Sequence, residues 1–186
     1  MLPDSAVQWH AALNDLPSIL FVLAVAFEIA GDITKRDSLR ATGFWMLVVG
    51  GAGALLAVVS GLIAEGAIEH GGSVHLVMER HETLAITFTV AFVILAAWRI
   101  WRRRGMTGKE RPLYLTLAAL CALGVIWTAH VGGTIVFGYG GGVPTQVLEG
   151  ALAERTMPHE HEPGEGQGDE EADSTAATEA DDDDRQ

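Results

Sequence analysis

The stretch LYLTLAALCALGVIWTAHVGGTIVF, residues 113–137, decides the fold, because its 25 residues include no Asp, Glu, Lys or Arg. A helix needs about 20 apolar residues to cross the hydrocarbon core of a bilayer, and it satisfies its own backbone hydrogen bonds there. Three segments of similar character precede it. The four predicted spans are residues 11–30, 44–64, 79–101 and 113–137. The sequence therefore predicts an all-α protein built as a four-helix transmembrane bundle.

The composition favours the same class of protein. Of the 186 residues, 49% are apolar and 19% are charged, and the net charge is −12. Residues 154–186 contain 13 acidic residues and two arginines, so they carry −11 of that charge and leave an almost neutral body. A soluble bundle would show a polar stripe on every helix, and residues 44–64 and 113–137 have none. We therefore expect a lipid bilayer around residues 1–142.

Composition and motifs also exclude several other classes of protein. A nucleic-acid-binding protein needs a basic face for its phosphate contacts, which this acidic chain lacks. A disulfide scaffold needs paired cysteines, and Cys121 is the only cysteine. The chain shows no Ser/His/Asp set, phosphate loop or nucleotide-binding fingerprint. The sequence therefore predicts no catalytic residue and leaves enzymatic activity open.

The positive charges predict the orientation. Nine of the 12 lysines and arginines lie around two of the predicted loops, namely Lys35, Arg36, Arg40, Arg99, Arg102, Arg103, Arg104, Lys109 and Arg111. The positive-inside rule places these loops in the cytoplasm, so both termini are expected on the outer side of a bacterial cytoplasmic membrane. The N-terminal sequence MLPDSAVQWH is acidic where a signal peptide is basic. We therefore expect the first span to remain in the mature protein.

Residues 143–186 are predicted to form an extracytoplasmic acidic tail. From Met157 onward the sequence contains almost nothing apolar, so it has too little surface to bury and is expected to be disordered. The tail carries the sequence HEHE at residues 159–162. There, His159 and His161 with two glutamates form a weak candidate site for a divalent cation.

Three histidines are predicted to lie at one depth on the outer side. At 1.5 Å per residue, His10, His81 and His130 each lie about 27–30 Å from the inner end of their helices. The first span also places His10, Asn14 and Glu28 on one stripe, and polar groups in a span face the bundle. The sequence therefore predicts a site at His10, His81 and His130, with His81 and His130 as the best-placed pair. Candidates to orient the imidazoles are Asn14, Glu65, Glu82 and Thr134.

Four short motifs carry a family resemblance. HAALNDLP at residues 10–17, SGLIAE at 60–65, HE at 81–82 and TAHVGG at 128–133 together resemble the domain-of-unknown-function 2231 family of predicted bacterial four-helix membrane proteins. The resemblance covers about residues 8–142. That family resembles in turn the di-haem cytochrome b superfamily, which implies a b-type haem between imidazoles on facing helices. Because this chain has no histidine near its inner end, the resemblance implies one haem at the outer end.

Three interpretations of the histidine layer stay open at this point. The first is a b-type haem that exchanges electrons with an extracytoplasmic redox partner. The second is a non-haem transition metal or a proton-linked site. The third is an accessory subunit of a membrane complex without a cofactor, in which case the imidazoles should find hydrogen-bond partners on adjacent helices.

Overall fold

The computed structural model describes residues 3–68 and 71–157. Within these ranges the chain forms five helices: α1 (Ala6–Thr34), α2 (Asp37–Glu65), α3 (Gly72–Trp101), α4 (Glu110–Tyr139) and α5 (Thr145–Arg155). The first four are long and apolar enough to cross a membrane, and each contains one predicted span. The prediction of an all-α, four-helix membrane bundle is therefore confirmed. The protein is a multi-pass membrane protein with four candidate spans.

The helices outrun the predicted spans because polar residues cap and extend their ends. The backbone N–H of Gln8 donates to Ser5 Oγ, which caps the start of α1. The helix ends at Lys35, whose φ of 59° lies in the left-handed region, and α2 begins two residues later. Glycines with positive φ at Gly105 and Gly108 shape the longer connection from α3 to α4. Both connections therefore reverse the chain, and consecutive helices run antiparallel.

Each long helix packs against two neighbours, in the cyclic order α1, α2, α3, α4. The closest pair is α1 with α2, where Gly43 lets the helices touch: a Cβ at that position would lie 2.7 Å from the carbonyl oxygen of Ala24. Helices α1 and α3 are diagonal neighbours and meet only through their side chains. At their centre the rings of Phe21 and Phe92 stack with centroids 3.7 Å apart.

The outward surface of the bundle is apolar. Large side chains on all four long helices are exposed, including Leu16, Ile19, Val49, Leu56, Ile94 and Leu120. Soluble monomers rarely expose continuous apolar surface on this scale. These side chains are therefore placed to face lipid.

The two ends of the bundle differ in character. We name the end at residues 35–36 and 102–109 the basic end, and the opposite end, where α1 and α3 begin, the histidine end. Interactions between Asp32, Arg40 and Arg111 join the two basic connections, so the positive charges predicted to share one side do lie together. Helix α5 lies at the start of the region 143–186 that was assigned to the tail. His159 and His161 lie outside the described residues.

Candidate functional site

A cavity of about 480 Å³ opens between the four long helices at the histidine end. Small-molecule and cofactor sites commonly occupy 300–1,000 Å³ and present a few polar groups on apolar walls. This cavity follows that pattern, since most of its lining is apolar. Its polar lining residues are His10, Asn14, Asp15, Ser18, Glu65, His81, Glu82, Thr89 and Thr128.

His10 is held by the last turns of α2. Its Nδ1 lies 3.1 Å from the carbonyl oxygen of Ala57 and 3.2 Å from Ser60 Oγ. Of the two ring nitrogens only a protonated one can donate to a carbonyl, so in the neutral ring this contact favours the proton on Nδ1 and the lone pair on Nε2. The ring lies directly on Gly61, where an added Cβ would come within 2.9 Å of Cε1. Glycine at this position is what allows the imidazole to sit against the helix.

His81 is held by α4 in the same way. Its Nδ1 lies 3.1 Å from the carbonyl oxygen of Thr128. A Cβ added to Gly132 would lie 2.8 Å from Cε1 of this ring. The same argument therefore favours the lone pair of His81 on Nε2. Both half-buried imidazoles are available as ligands with their other nitrogen already anchored to backbone.

The likeness of the two arrangements reflects an internal repeat. An offset of 71 residues separates His10 from His81, Ala57 from Thr128 and Gly61 from Gly132. The same offset relates three further pairs, Phe21 with Phe92, Arg40 with Arg111, and Gly53 with Gly124. From these matches we infer that helices α1–α2 and α3–α4 are two copies of one two-helix unit, related by a pseudo-two-fold axis along the bundle. Such an axis would pass between the stacked rings of Phe21 and Phe92.

The pair of imidazoles that shares the cavity is His10 with His81, from the diagonal helices α1 and α3. His130 is exposed, lies against the ring of Trp127 at 5.4 Å between centroids, and is not among the residues that line the cavity. Thr134 donates to the carbonyl oxygen of His130 and does not line the cavity either. A ligand role for His130 stays a prediction, without support from its position.

The predicted orienting residues Asn14, Glu65 and Glu82 do line the cavity. Asn14 Oδ1 is buried and has no hydrogen-bond partner within the described part of the chain. A buried acceptor left unpaired costs about 1–3 kcal/mol, so such a group is usually satisfied by something else in the site. The cavity therefore offers two ready imidazole nitrogens and one unused acceptor.

The basic end carries the other buried polar cluster. Glu28 is only 1% exposed and accepts hydrogen bonds from Arg99, at 2.8 Å, and from Arg111. Its position on the inward stripe with His10 and Asn14 was inferred from the sequence, and its burial agrees with that inference. Glu28 and Arg99 also occupy equivalent positions in the two repeats. They form an ion pair across the pseudo-two-fold axis.

The chain matches a family model over the whole bundle. That model is described as Predicted membrane protein (DUF2231), and it matches residues 7–145. The matched range includes His10, His81 and the arginines of the basic end. No curated protein and no solved structure matches the chain.

Proposed function

The chain belongs to the DUF2231 family of predicted membrane proteins, and we propose that it binds one b-type haem between His10 and His81 and transfers electrons. The observation that carries this proposal is the matched pair of imidazoles. Two histidines on diagonal helices line one cavity, and each has Nδ1 hydrogen-bonded to a backbone carbonyl. This is the arrangement that axial ligation through Nε2 requires.

The number and setting of the protein groups suit a haem. His10 and His81 would hold such a haem, and the haem would supply one-electron redox chemistry at a potential set by the ligating residues and their hydrogen bonds. The walls of the cavity are mainly apolar side chains from all four helices, including Phe88 and Phe92. Such walls exclude water from a flat hydrophobic ring. Gly61 and Gly132 bring each imidazole close to its supporting helix.

The residues of the chain have separate tasks in this proposal. His10 and His81 bind, and the carbonyl groups of Ala57 and Thr128 fix the tautomer and the ring plane of each. Asn14 Oδ1 supplies a hydrogen-bond acceptor inside the cavity. Asp15, Glu65 and Glu82 make the mouth acidic, which favours a positively charged surface on any redox partner that docks there.

The position of the site also defines where electrons would be exchanged. If the basic end faces the cytoplasm, as the positive-inside rule predicts, the histidine end lies on the outer side of a bacterial cytoplasmic membrane. The natural partner of the site is then an extracytoplasmic redox protein or a small redox molecule. A non-haem transition metal bound by the two imidazoles is the second candidate. It is less favoured, because no group of three or more His, Cys, Asp or Glu side chains in the described ranges is placed to hold a metal ion.

An absorption spectrum of the detergent-purified protein, with metal analysis on the same sample, tests the proposal. The protein should be produced in cells supplied with a haem precursor. We expect a Soret band, and sharp bands after reduction that are typical of two axial imidazoles. A stoichiometric transition metal without a Soret band would favour the second candidate. A purified, folded protein with neither would refute both and leave a cofactor-free accessory role.

Substitutions identify the ligands. His10→Ala and His81→Ala should each abolish the sharp reduced bands or convert the spectrum to a high-spin form. His130→Ala is the matched control, since it removes an imidazole from the same end of the bundle but from outside the cavity. His75→Ala, at the exposed start of α3, is a second control. Loss of the haem spectrum in His130→Ala with retention in His10→Ala would show that the wrong pair has been chosen.

A further inference from the structure

We propose that the cavity at the basic end is a binding site for a phosphate group. The cavity has a volume of about 560 Å³ and lies at the opposite end of the bundle from the histidines. Five of its lining residues are arginines, Arg40, Arg99, Arg103, Arg104 and Arg111. Two are acidic, Asp32 and Asp37. The lining is therefore strongly positive, and the ligand class it fits is an anion.

Within the described ranges, the acidic residues pair with three of the five arginines and leave Arg103 and Arg104 unneutralised. Arg111 is bonded to Asp32 and Glu28, and Arg40 is bonded to Asp32 and Asp37. These carboxylates already accept bonds from arginine, so they fix the guanidinium groups in position without cancelling their total charge. Glu28 lies behind the lining, and counting it with Asp32 and Asp37 still gives three carboxylates to five arginines.

Arg103 and Arg104 supply the unused donors. Both are exposed at the rim of the cavity. Neither makes an ion pair with a carboxylate among the described residues, in contrast with Arg40, Arg99 and Arg111. Each guanidinium presents five N–H donors in a planar fork that matches phosphate oxygens. An anion in the cavity would thus meet fixed guanidinium groups at its floor and adaptable ones at its rim.

The helices add to the positive potential. Helices α2 and α4 both begin at this end, at Asp37 and Glu110. The N-terminus of a helix carries a partial positive charge from its unpaired N–H groups. Asp37 and Arg111, from the first turns of the two helices, line the cavity itself. The positive charge of the arginines, the arrangement of their N–H donors and the helix N-termini therefore all favour an anion in this cavity.

A phosphate group can reach this cavity from two sources. The cavity lies where the helices leave the hydrocarbon layer, so the headgroup of an anionic phospholipid can enter from the side. Inorganic phosphate or a soluble phosphate ester can enter from the water. The recognition chemistry is the same in both cases, and an experiment with two probes distinguishes the sources.

The experiment uses the full-length protein in nanodiscs of phosphatidylcholine, because this lipid has no net charge. In one arm, phosphatidylglycerol is added and bound lipid is counted by native mass spectrometry. In the other arm, inorganic phosphate is titrated and binding is measured by calorimetry. We compare the wild type with the double variant Arg103→Gln/Arg104→Gln. The matched control is Lys35→Gln/Arg36→Gln, which removes two positive charges from the same end but outside the cavity lining.

A hydrogen bond from a guanidinium group to a bound anion contributes about tenfold to the affinity, so the double variant, which removes two such groups from the cavity lining, should bind roughly 100-fold more weakly. The control should lose less than threefold. Saturable phosphatidylglycerol binding alone identifies a lipid headgroup, and saturable phosphate binding identifies a soluble anion. Equal losses in the two double variants, or no saturable binding of either probe, would overturn the proposal. The melting temperature without probe should be the same in all three proteins, which separates binding from folding.

Discussion

The substitution Glu28→Gln tests how the bundle holds a charge in its interior. Glu28 is 1% exposed and accepts from Arg99 Nε at 2.8 Å and from Arg111 Nη1. Gln has the same size and keeps one carbonyl oxygen, so the packing around residue 28 should change little. The substitution removes the negative charge and replaces an acceptor by an amide donor. Its cost therefore reports on the two arginines left behind.

The loss of Glu28 affects Arg99 more than Arg111. Arg111 retains Asp32, with its Nε 2.8 Å from Oδ2 and its Nη2 3.2 Å from Oδ1. Arg99 loses its carboxylate and keeps the face of Phe44, at 5.2 Å from the ring centroid. Removing one partner of a buried ion pair costs about 3–5 kcal/mol. Because one of the two arginines stays paired, we expect the lower end of that range, about 3 kcal/mol of unfolding free energy.

The measurement is reversible unfolding by sodium dodecyl sulfate in mixed micelles, followed by far-ultraviolet circular dichroism. A double-mutant cycle with Arg99→Gln isolates the pair. The double variant should be more stable than the sum of the single effects predicts, by about 2 kcal/mol, since it buries no unpaired charge. Glu79→Gln is the control, because that carboxylate is exposed in α3, and it should change the stability by less than about 0.5 kcal/mol. A loss below about 1 kcal/mol in Glu28→Gln, or strict additivity in the cycle, would refute the reasoning.

Three further predictions concern the histidine site, the orientation and the tail. In Gly132→Ala the new Cβ would lie 2.8 Å from His81 Cε1, so the ring must shift and the stability should fall by about 1–3 kcal/mol. The control Gly133→Ala meets nothing closer than 4.0 Å, so it should be neutral or stabilising through helix propensity. The orientation is tested by thiol labelling in a Cys121→Ala background. In intact cells, Ser38→Cys should be shielded from an impermeant thiol reagent, while Ser174→Cys should react with it. The reverse pattern would show that the topology is inverted. Truncation after Glu154 should change the unfolding free energy by less than about 1 kcal/mol, because the described residues that it removes, Arg155, Thr156 and Met157, are all exposed.

The sequence was sufficient to predict the bundle because length and hydropathy decide which segments cross a bilayer. It also predicted an inward stripe on α1 with His10, Asn14 and Glu28, and Glu28 is buried. The spacing of polar residues in an otherwise apolar span shows which face of the helix they share. Because polar residues face the bundle, that face is the one turned towards the neighbouring helices. The partners of Glu28, Arg99 and Arg111, are known only from the structure, because hydropathy and spacing do not say which of the nine basic residues a buried carboxylate meets.

The choice of His130 as a partner for His81 rested on depth alone. Depth fixes the height of a residue along the bundle but not the direction in which its side chain points. On α4 the cavity is lined by Thr128 and Gly132. Ala129 and Gly133 line the cavity as well, whereas His130 is exposed and does not line it. The missing signal was the 71-residue offset, which pairs His81 with His10 and is weak because few other positions are identical.

The repeat explains why identical residues meet at one end of the bundle and opposite charges meet at the other. A two-fold axis brings equivalent residues of the two halves together, so whatever lies beside the axis meets its own counterpart. Identical imidazoles can share one ligand, and identical rings can stack, as Phe21 and Phe92 do. Identical charges would repel in the low dielectric of the interior. The two halves therefore match in His10 and His81 at the histidine end and differ beside the axis at the basic end, where Glu28 meets Arg99. The identical residues Arg40 and Arg111 also lie at the basic end, where Asp32 pairs with both of them. A homodimer of one two-helix unit could pair identical imidazoles or identical rings on its axis, but it could not pair a glutamate with an arginine there. Joining two different copies in one chain is what allows a buried ion pair on the axis.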